Sequence, residues 1–158
     1  LFFNVYGPWG RPDMAPMSFA NAILNKEPIK VYNHGNMKRD FTYIDDIVEG
    51  IYRCCYKPAY ADNEFNYLNP NQCTSFAPFR IFNIGNSEPI DLLDFIEVLE
   101  ENLGVKAIRD FQPIQPGDVE ATAANTDLLE AWIDFKPSTS IEIGIKNFSK
   151  WFLSYYKK

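Results

Sequence analysis

RDFTYIDDIVEGIYRCCY, residues 39–56, decides the fold class. Its first five residues, Arg39–Tyr43, are aromatic-rich and read as extended chain leading into a helix. From Ile44 the period changes. Ile44, Ile47, Val48, Ile51 and Cys55 recur at three- and four-residue steps, which predicts a helix near 44–56 with these side chains on one buried face. Asp45 and Asp46 fall in its first turn, where the helix dipole favours negative charge. No third ligand accompanies them, so the dipole reading is preferred to a metal site. A strand that runs straight into an amphipathic helix is the joint of an α/β protein.

Working outward, the same alternation continues on both sides. Upstream, Asn33–Met37 is a turn around Gly35, Ile29–Tyr32 a short strand, and residues 16–25 a helix with Met17, Ala20, Ile23 and Leu24 on one face. Before it lies the stiff loop GPWGRPDM (7–14). Before that, Leu1–Tyr6 reads as a buried strand ended by Gly7–Pro8. Downstream, residues 57–78 follow neither period, are rich in Asn and Pro, and read as a long loop or an insertion. Arg80–Ile84 alternates like a strand. Asp91–Leu103 is an amphipathic helix stopped by Gly104. Val105–Phe111 reads as a strand and Thr126–Trp132 as a short helix. A last helix starts at Thr139, which pairs with Glu142 in a capping-box pattern. Its stripe is Ile141, Ile145, Phe148, Phe152 and Tyr155. No internal repeat is present. The expected fold is a mixed, small α/β domain.

Composition narrows the function. With 158 residues, 46% hydrophobic, the chain can build a core. No apolar run approaches the roughly 20 residues of a membrane span. A net charge of −6 argues against a nucleic-acid partner but not against a small anion held by local arginines. Cys54, Cys55 and Cys73 show no metal spacing. Cys54 and Cys55 read as helix packing residues, and the set as belonging to a reducing cytoplasm.

There is no Gly-rich phosphate loop after a strand, no nucleophile elbow and no zinc spacing. His34, the single histidine, lies in a polar turn. No complete catalytic set is carried. Three polar loops remain. Arg11 sits between Gly10 and Pro12, either as a guanidinium ready to fork onto a carboxylate or phosphate, or as a surface arginine on a tight turn. Arg39 reads as a phosphate contact or a solvent-facing charge. Tyr32 can stack on a base or be half-buried packing. Asp118, in the turn Gln115–Pro116–Gly117–Asp118, can accept from ribose hydroxyls or cap its turn. Together they predict a pocket for a polar, anionic ligand.

The strings FFNVYGPWGRPDMA, VYNHGNMKRDFTYIDDIVEGI, FNIGNSEPIDLLDFIEVLE and QPGDV, in this order, resemble the NAD-dependent nucleotide-sugar epimerase/dehydratase family of extended short-chain dehydrogenases/reductases. Within it they are most similar to the UDP-glucuronate 4-epimerase group. RDFTYIDD and FNIGN mark the broad family, GPWGRPDM and QPGDV the narrower group. The resemblance implies that 1–158 is a C-terminal substrate-binding domain, whose N-terminal Rossmann half, with a Gly-rich NAD loop and a Tyr-x-x-x-Lys pair, is absent from this chain. It implies NAD as cofactor, bound mainly by that half, and no catalytic residue here. Phe3 would lie beside the nicotinamide, Asn4 near the sugar or diphosphate, and Arg11 against the glucuronate carboxylate. Met14 would line the uridine side, Tyr32 pack on uracil, Arg39 hold the diphosphate, and Gln115 and Asp118 reach ribose and phosphate.

Asn4 stands where many glucuronate epimerases have threonine, a departure that leaves another nucleotide-sugar epimerase or a 4,6-dehydratase open. A non-catalytic remnant or binding domain is the reading from a different class. The resemblance further implies a cytoplasmic parent enzyme of cell-surface polysaccharide biosynthesis, a homodimer through its N-terminal half, with a UDP-sugar as its partner and neither nucleic acid nor membrane. This half alone is expected to be inactive, and exposed Leu1–Phe3 to promote non-native self-association.

Overall fold

In the computed structural model, which describes residues 1–157, the joint at 39–56 forms as the change of period predicts. Two short strands, β3 (Lys38–Arg39) and β4 (Thr42–Tyr43), lead into α2 (Ile44–Tyr56). The other elements are β1 (Val5–Tyr6), α1 (Ala15–Asn25), β2 (Pro28–Val31), β5 (Ile90–Asp91), α3 (Leu92–Leu103), β6 (Ile108–Phe111), α4 (Asp127–Ile133) and α5 (Ile141–Tyr156). They form a mixed α/β fold with three two-stranded ladders. β1 pairs parallel with β4, β2 parallel with β6, and β3 antiparallel with β5.

One core lies between α1, α3, α5 and the β2–β6 ladder. Ala20, Val31, Phe95, Ile96, Leu99, Ile145 and Phe148 are fully buried there. Phe41, from the joint, stacks on Phe95 with ring centroids 4.4 Å apart. A smaller cluster of Ile47, Ile84, Leu129 and Ile133 sits under α2 and α4. The third helix ends where the sequence places its stop. Gly104 takes φ +69 after α3, the left-handed residue a helix end favours.

Several expectations need correction. In α2 the inward face is Ile47 and Gly50, with Cys54 packed alongside, while Val48, Ile51 and Cys55 are exposed. Gly50 faces Ile84 and Phe135 on the inward side, which leaves Val48, Ile51 and Cys55 turned outward. So Cys55 is not a packing residue. Arg80–Ile84 is not a strand. Arg80 bridges Thr74 and Ile84 bridges Phe2, but the partners are too short for a ladder. Leu1–Tyr6 likewise forms a strand only at Val5–Tyr6, and Leu1 and Phe2 are exposed. β6 starts at Ile108 rather than Val105. The last helix is capped by Ser140, whose hydroxyl accepts from the Ile143 amide, not by Thr139. The Thr139 N–H is already held by Asp46 at 2.9 Å, so the cap moves one residue on.

Candidate functional site

The loop that carries Arg11 is held at both ends. Gly7 has φ +139, a backbone shape that favours glycine, and a Cβ there would collide with Ile44. Trp9 is left-handed at φ +64, which is costly for a bulky residue. Its ring offsets that strain by packing on α5, against Trp151 at 5.4 Å and Tyr155 at 4.9 Å. The loop then turns back into α1 through Met14.

On its tip, the Arg11 guanidinium forks onto Asp13. Nε donates to Oδ1 at 3.1 Å and Nη2 to Oδ2 at 2.7 Å. Both side chains are about 70% exposed (72% and 69%). Nη2 also lies 3.6 Å from the Met14 sulfur.

Arg39 is held differently. It is 15% exposed, donates through Nη1 to the carbonyls of Lys38 and Glu120, and lies 3.5 Å from the Asp118 carboxylate. Beside it Asp40 is fully buried and accepts three backbone N–H groups: Asn86 at 2.9 Å, Ser87 at 3.0 Å and Ala124 at 2.8 Å. One carboxylate therefore ties the turn after Gly85 and the segment at 124 to the 39–43 joint. Gly85 is needed for this approach, since a Cβ there would meet Ala124 and the Asp40 carboxylate.

Two adjoining cavities use these groups. The first, about 150 Å³, is lined by Asn4, Met14, Tyr32, Arg39 and Asp118, with Lys30 and an apolar wall that includes Phe19, Phe41 and Leu92. The second is an open cleft of about 690 Å³ that contains Phe3, Asn4, Trp9, Arg11 and Met14. Asn4, Val5 and Met14 line both, so the two adjoin across a shared wall. Of the residues singled out in the sequence, Gln115 lines neither cavity. It is exposed, and its carbonyl accepts from the Asp118 amide at 3.1 Å. His34 is exposed at its turn.

Sequence reasoning passed over Asp13, Lys30 and Asp40. Asp40 had a signal, a charge inside an otherwise aromatic and β-branched stretch. Asp13 had one in its spacing from Arg11 across a single proline. Lys30 had none beyond sharing a strand face with Tyr32.

Two phenols outside both cavities, Tyr6 and Tyr43, are held protonated. Burial pushes Tyr6 far above its ordinary value of 10.0, and Tyr43, Asp46 and Glu142 add to the shift. Burial also raises Tyr43, with help from Asp45 and against a hydrogen bond with Asn147. Among the described residues, no three His, Cys, Asp or Glu side chains gather where a metal ion could be held. Within the same residues no helix is long and apolar enough to cross a membrane.

Residues 1–69 match the NAD dependent epimerase/dehydratase family. The chain is 52% identical over 157 residues to the protein CapI of Staphylococcus aureus, covering 99% of this chain and 47% of that protein. Over residues 1–69 the chain is therefore similar to this epimerase/dehydratase family. Another relative is UDP-glucuronate 4-epimerase 1 of Arabidopsis thaliana, 43% identical over 98% of this chain and 36% of that enzyme. The chain thus spans about half the length of CapI, or less of the plant enzyme. Among solved structures it is similar to a UDP-glucuronic acid 4-epimerase from Bacillus cereus in complex with UDP-glucuronic acid and NAD. That likeness has a TM-score of 0.79 at 27% identity, and covers 98% of this chain and 44% of that one.

Proposed function

We propose that this chain is the substrate-binding part of an NAD-dependent UDP-glucuronate 4-epimerase, which interconverts UDP-glucuronate and UDP-galacturonate. The observation that carries the reading is the pair of adjoining cavities. One has an aromatic ring, a largely buried guanidinium and a carboxylate, and the other has an exposed, Asp13-paired arginine at its rim. A nucleoside diphosphate sugar has that same order of parts. Uracil packs on Tyr32, the ribose and phosphates meet Asp118 and Arg39, and Met14 lines the uridine side. Asn4 stands where diphosphate passes into sugar. The sugar lies in the open cleft with its C6 carboxylate toward Arg11. Gln115 reaches the ribose or phosphate if its turn closes over the nucleotide.

The residues at the open end fit one edge of the cofactor. Phe3 is a half-exposed ring beside Asn4 in the cleft, a flat apolar surface for a nicotinamide. Nothing in this chain resembles a dinucleotide phosphate loop. NAD, when bound, takes and returns the C4 hydride. The work of this chain is to hold the UDP end fixed while leaving the sugar room to turn over, and to select the carboxylate. A charge-assisted hydrogen bond from Arg11 is worth about 1.5–3 kcal/mol, or roughly 10- to 150-fold in discrimination. By itself the chain is expected to bind and not to catalyse, because its sequence carries no Tyr-x-x-x-Lys pair. The same reading places residues 1–158 as a C-terminal substrate domain of a cytoplasmic homodimer in cell-surface polysaccharide biosynthesis.

The test is turnover by the protein expressed from its natural reading frame, supplied with NAD and UDP-glucuronate. UDP-galacturonate is the expected product. A folded protein that leaves UDP-glucuronate unchanged overturns the assignment. Asn4 favours the second reading, another nucleotide-sugar epimerase or a 4,6-dehydratase, and NMR identification of the product separates the two.

A further inference from the structure

We infer that Asp13 is a positioning residue for sugar selectivity: it holds Arg11 by one edge and presents the other edge to the substrate carboxylate. The inference rests on the reading that Arg11 meets that carboxylate.

A guanidinium has two edges that can fork onto a carboxylate, one made by Nε and one Nη, the other by the two Nη nitrogens. Asp13 occupies the first. It accepts from Nε at 3.1 Å and from Nη2 at 2.7 Å. The second edge is nearly free. Nη1 has no partner among the described residues, and the remaining contact of Nη2 is the Met14 sulfur at 3.6 Å. A thioether is a weak acceptor that a carboxylate oxygen readily replaces. Met14 lines both cavities, so this contact also fixes the direction in which the open edge faces.

An exposed pair of this kind contributes little to stability. Its consequence lies in order. An arginine on an open rim, 72% exposed, would otherwise sample many rotamers and lose them on binding. Pro12 between the two residues keeps Asp13 within reach, and the Trp9 ring anchors the loop on α5. Asp13 therefore supplies part of that ordering before the substrate arrives. The like charge of Asp13 opposes an incoming carboxylate, but the two bind adjacent edges of one guanidinium whose positive charge lies close to both, in water that screens the repulsion.

The experiment is calorimetric binding of UDP-glucuronate and of UDP-glucose to the protein expressed from its natural reading frame, as the parent and as Asp13→Ala, Asp13→Glu and Arg11→Ala. UDP-glucose carries a hydroxymethyl group where UDP-glucuronate has its carboxylate. Asp13→Ala is expected to weaken UDP-glucuronate by about two- to tenfold, the range for ordering one long side chain, and to leave UDP-glucose unmoved. Asp13→Glu is expected to recover most of the loss, which a merely structural role would not predict. If Arg11→Ala loses UDP-glucuronate selectively and Asp13→Ala does not, the inference falls and the carboxylate reading stands. Tighter UDP-glucuronate binding by Asp13→Ala also overturns it, since Asp13 would then be a competitor. If Arg11→Ala weakens both ligands equally, the carboxylate reading falls and the inference with it.

Discussion

The two arginines of the site differ more in surroundings than in chemistry. Arg39 is 15% exposed and has two carbonyls and a carboxylate around it, next to a buried aspartate that gathers three backbone amides. Arg11 is 72% exposed and has one carboxylate on a surface loop. In a dry, crowded setting, bonds to charge are strong and costly to leave unmade. In water they are weak and easily exchanged. On the proposed reading, the nucleotide end of the cavity is therefore built into the fold, whereas the sugar end is a fitting attached to it. A site divided this way can change which sugar it accepts with little effect on stability.

The largest effect that separates the two ends is expected at Asp40. Asp40→Ala leaves the amides of Ser87 and Ala124 without their acceptor, and that of Asn86 with only the Thr42 hydroxyl at 3.2 Å. The loss should be on the order of 3 kcal/mol or more, since each unpaired buried donor costs about 1–3 kcal/mol. Chemical denaturation of the variant and its parent measures it. A loss under about 1 kcal/mol would mean that water replaces the carboxylate, and that the nucleotide end is as loosely built as the sugar end.

Glu100 sharpens the comparison, because it is a buried carboxylate whose sequence neighbours line neither cavity, whereas Asp40 stands between two cavity residues, Arg39 and Phe41. It is 2% exposed and accepts from Lys106 at 2.7 Å, the Ala107 amide at 3.0 Å and Arg109 at 3.0 Å. Burial works to raise its pKa. The bonds from Lys106, Ala107 and Arg109 together outweigh burial, and the carboxyl sits below its ordinary 4.5. A carboxyl with a depressed folded pKa stabilises the protein above its unfolded pKa. That contribution is lost as pH falls through the folded value. Glu100→Gln should cost about 1.5–3 kcal/mol near neutrality, the range for bonds to a charged group, and the difference from the parent should shrink as the solution is acidified below 4.5. A gap between the two that stays constant down to strong acid would count against the ion-paired carboxylate. UDP affinity should be unaffected, unlike at Asp40.

How much of this was legible in the sequence follows the same division. Local patterns gave α1, α3 and the β4-to-α2 joint, because their periods and caps are set within a few residues. They placed Ile44 and Ile47 of α2 inward correctly but put Val48, Ile51 and Cys55 there too, because apolar spacing reports which side chains prefer burial, not which of them meets a partner. The inward side is set by Ile84 and Phe135, which lie beside Gly50 but far from it in sequence. The strand expected at 80–84 failed for a related reason. Alternation marks a chain ready to pair, and pairing needs a neighbour of equal length. In the site, Arg11, Arg39, Tyr32 and Asp118 stood out as polar or aromatic residues at turns. That they line two adjoining cavities depends on Asn4 and Met14, which are distant in sequence from Arg39 and Asp118. Asp40 could be noticed as a charge among aromatics, but its three amide partners lie 46 to 84 residues away.

The smallest expected effect is the most discriminating. Arg11→Ala removes an exposed ion pair and a sulfur contact, and leaves the Trp9 ring on Trp151 and Tyr155. Its stability should stay within about 0.5 kcal/mol of the parent, as for other surface changes. The native loop shape is held by Gly7 and by the aromatic contacts, so it does not need the guanidinium. A thermal melt that matches the parent, together with a selective loss of UDP-glucuronate, would place the whole consequence of Arg11 in recognition. A clear drop in melting temperature would instead tie Arg11 to the fold, and the contrast with Arg39 would reduce to a difference of degree.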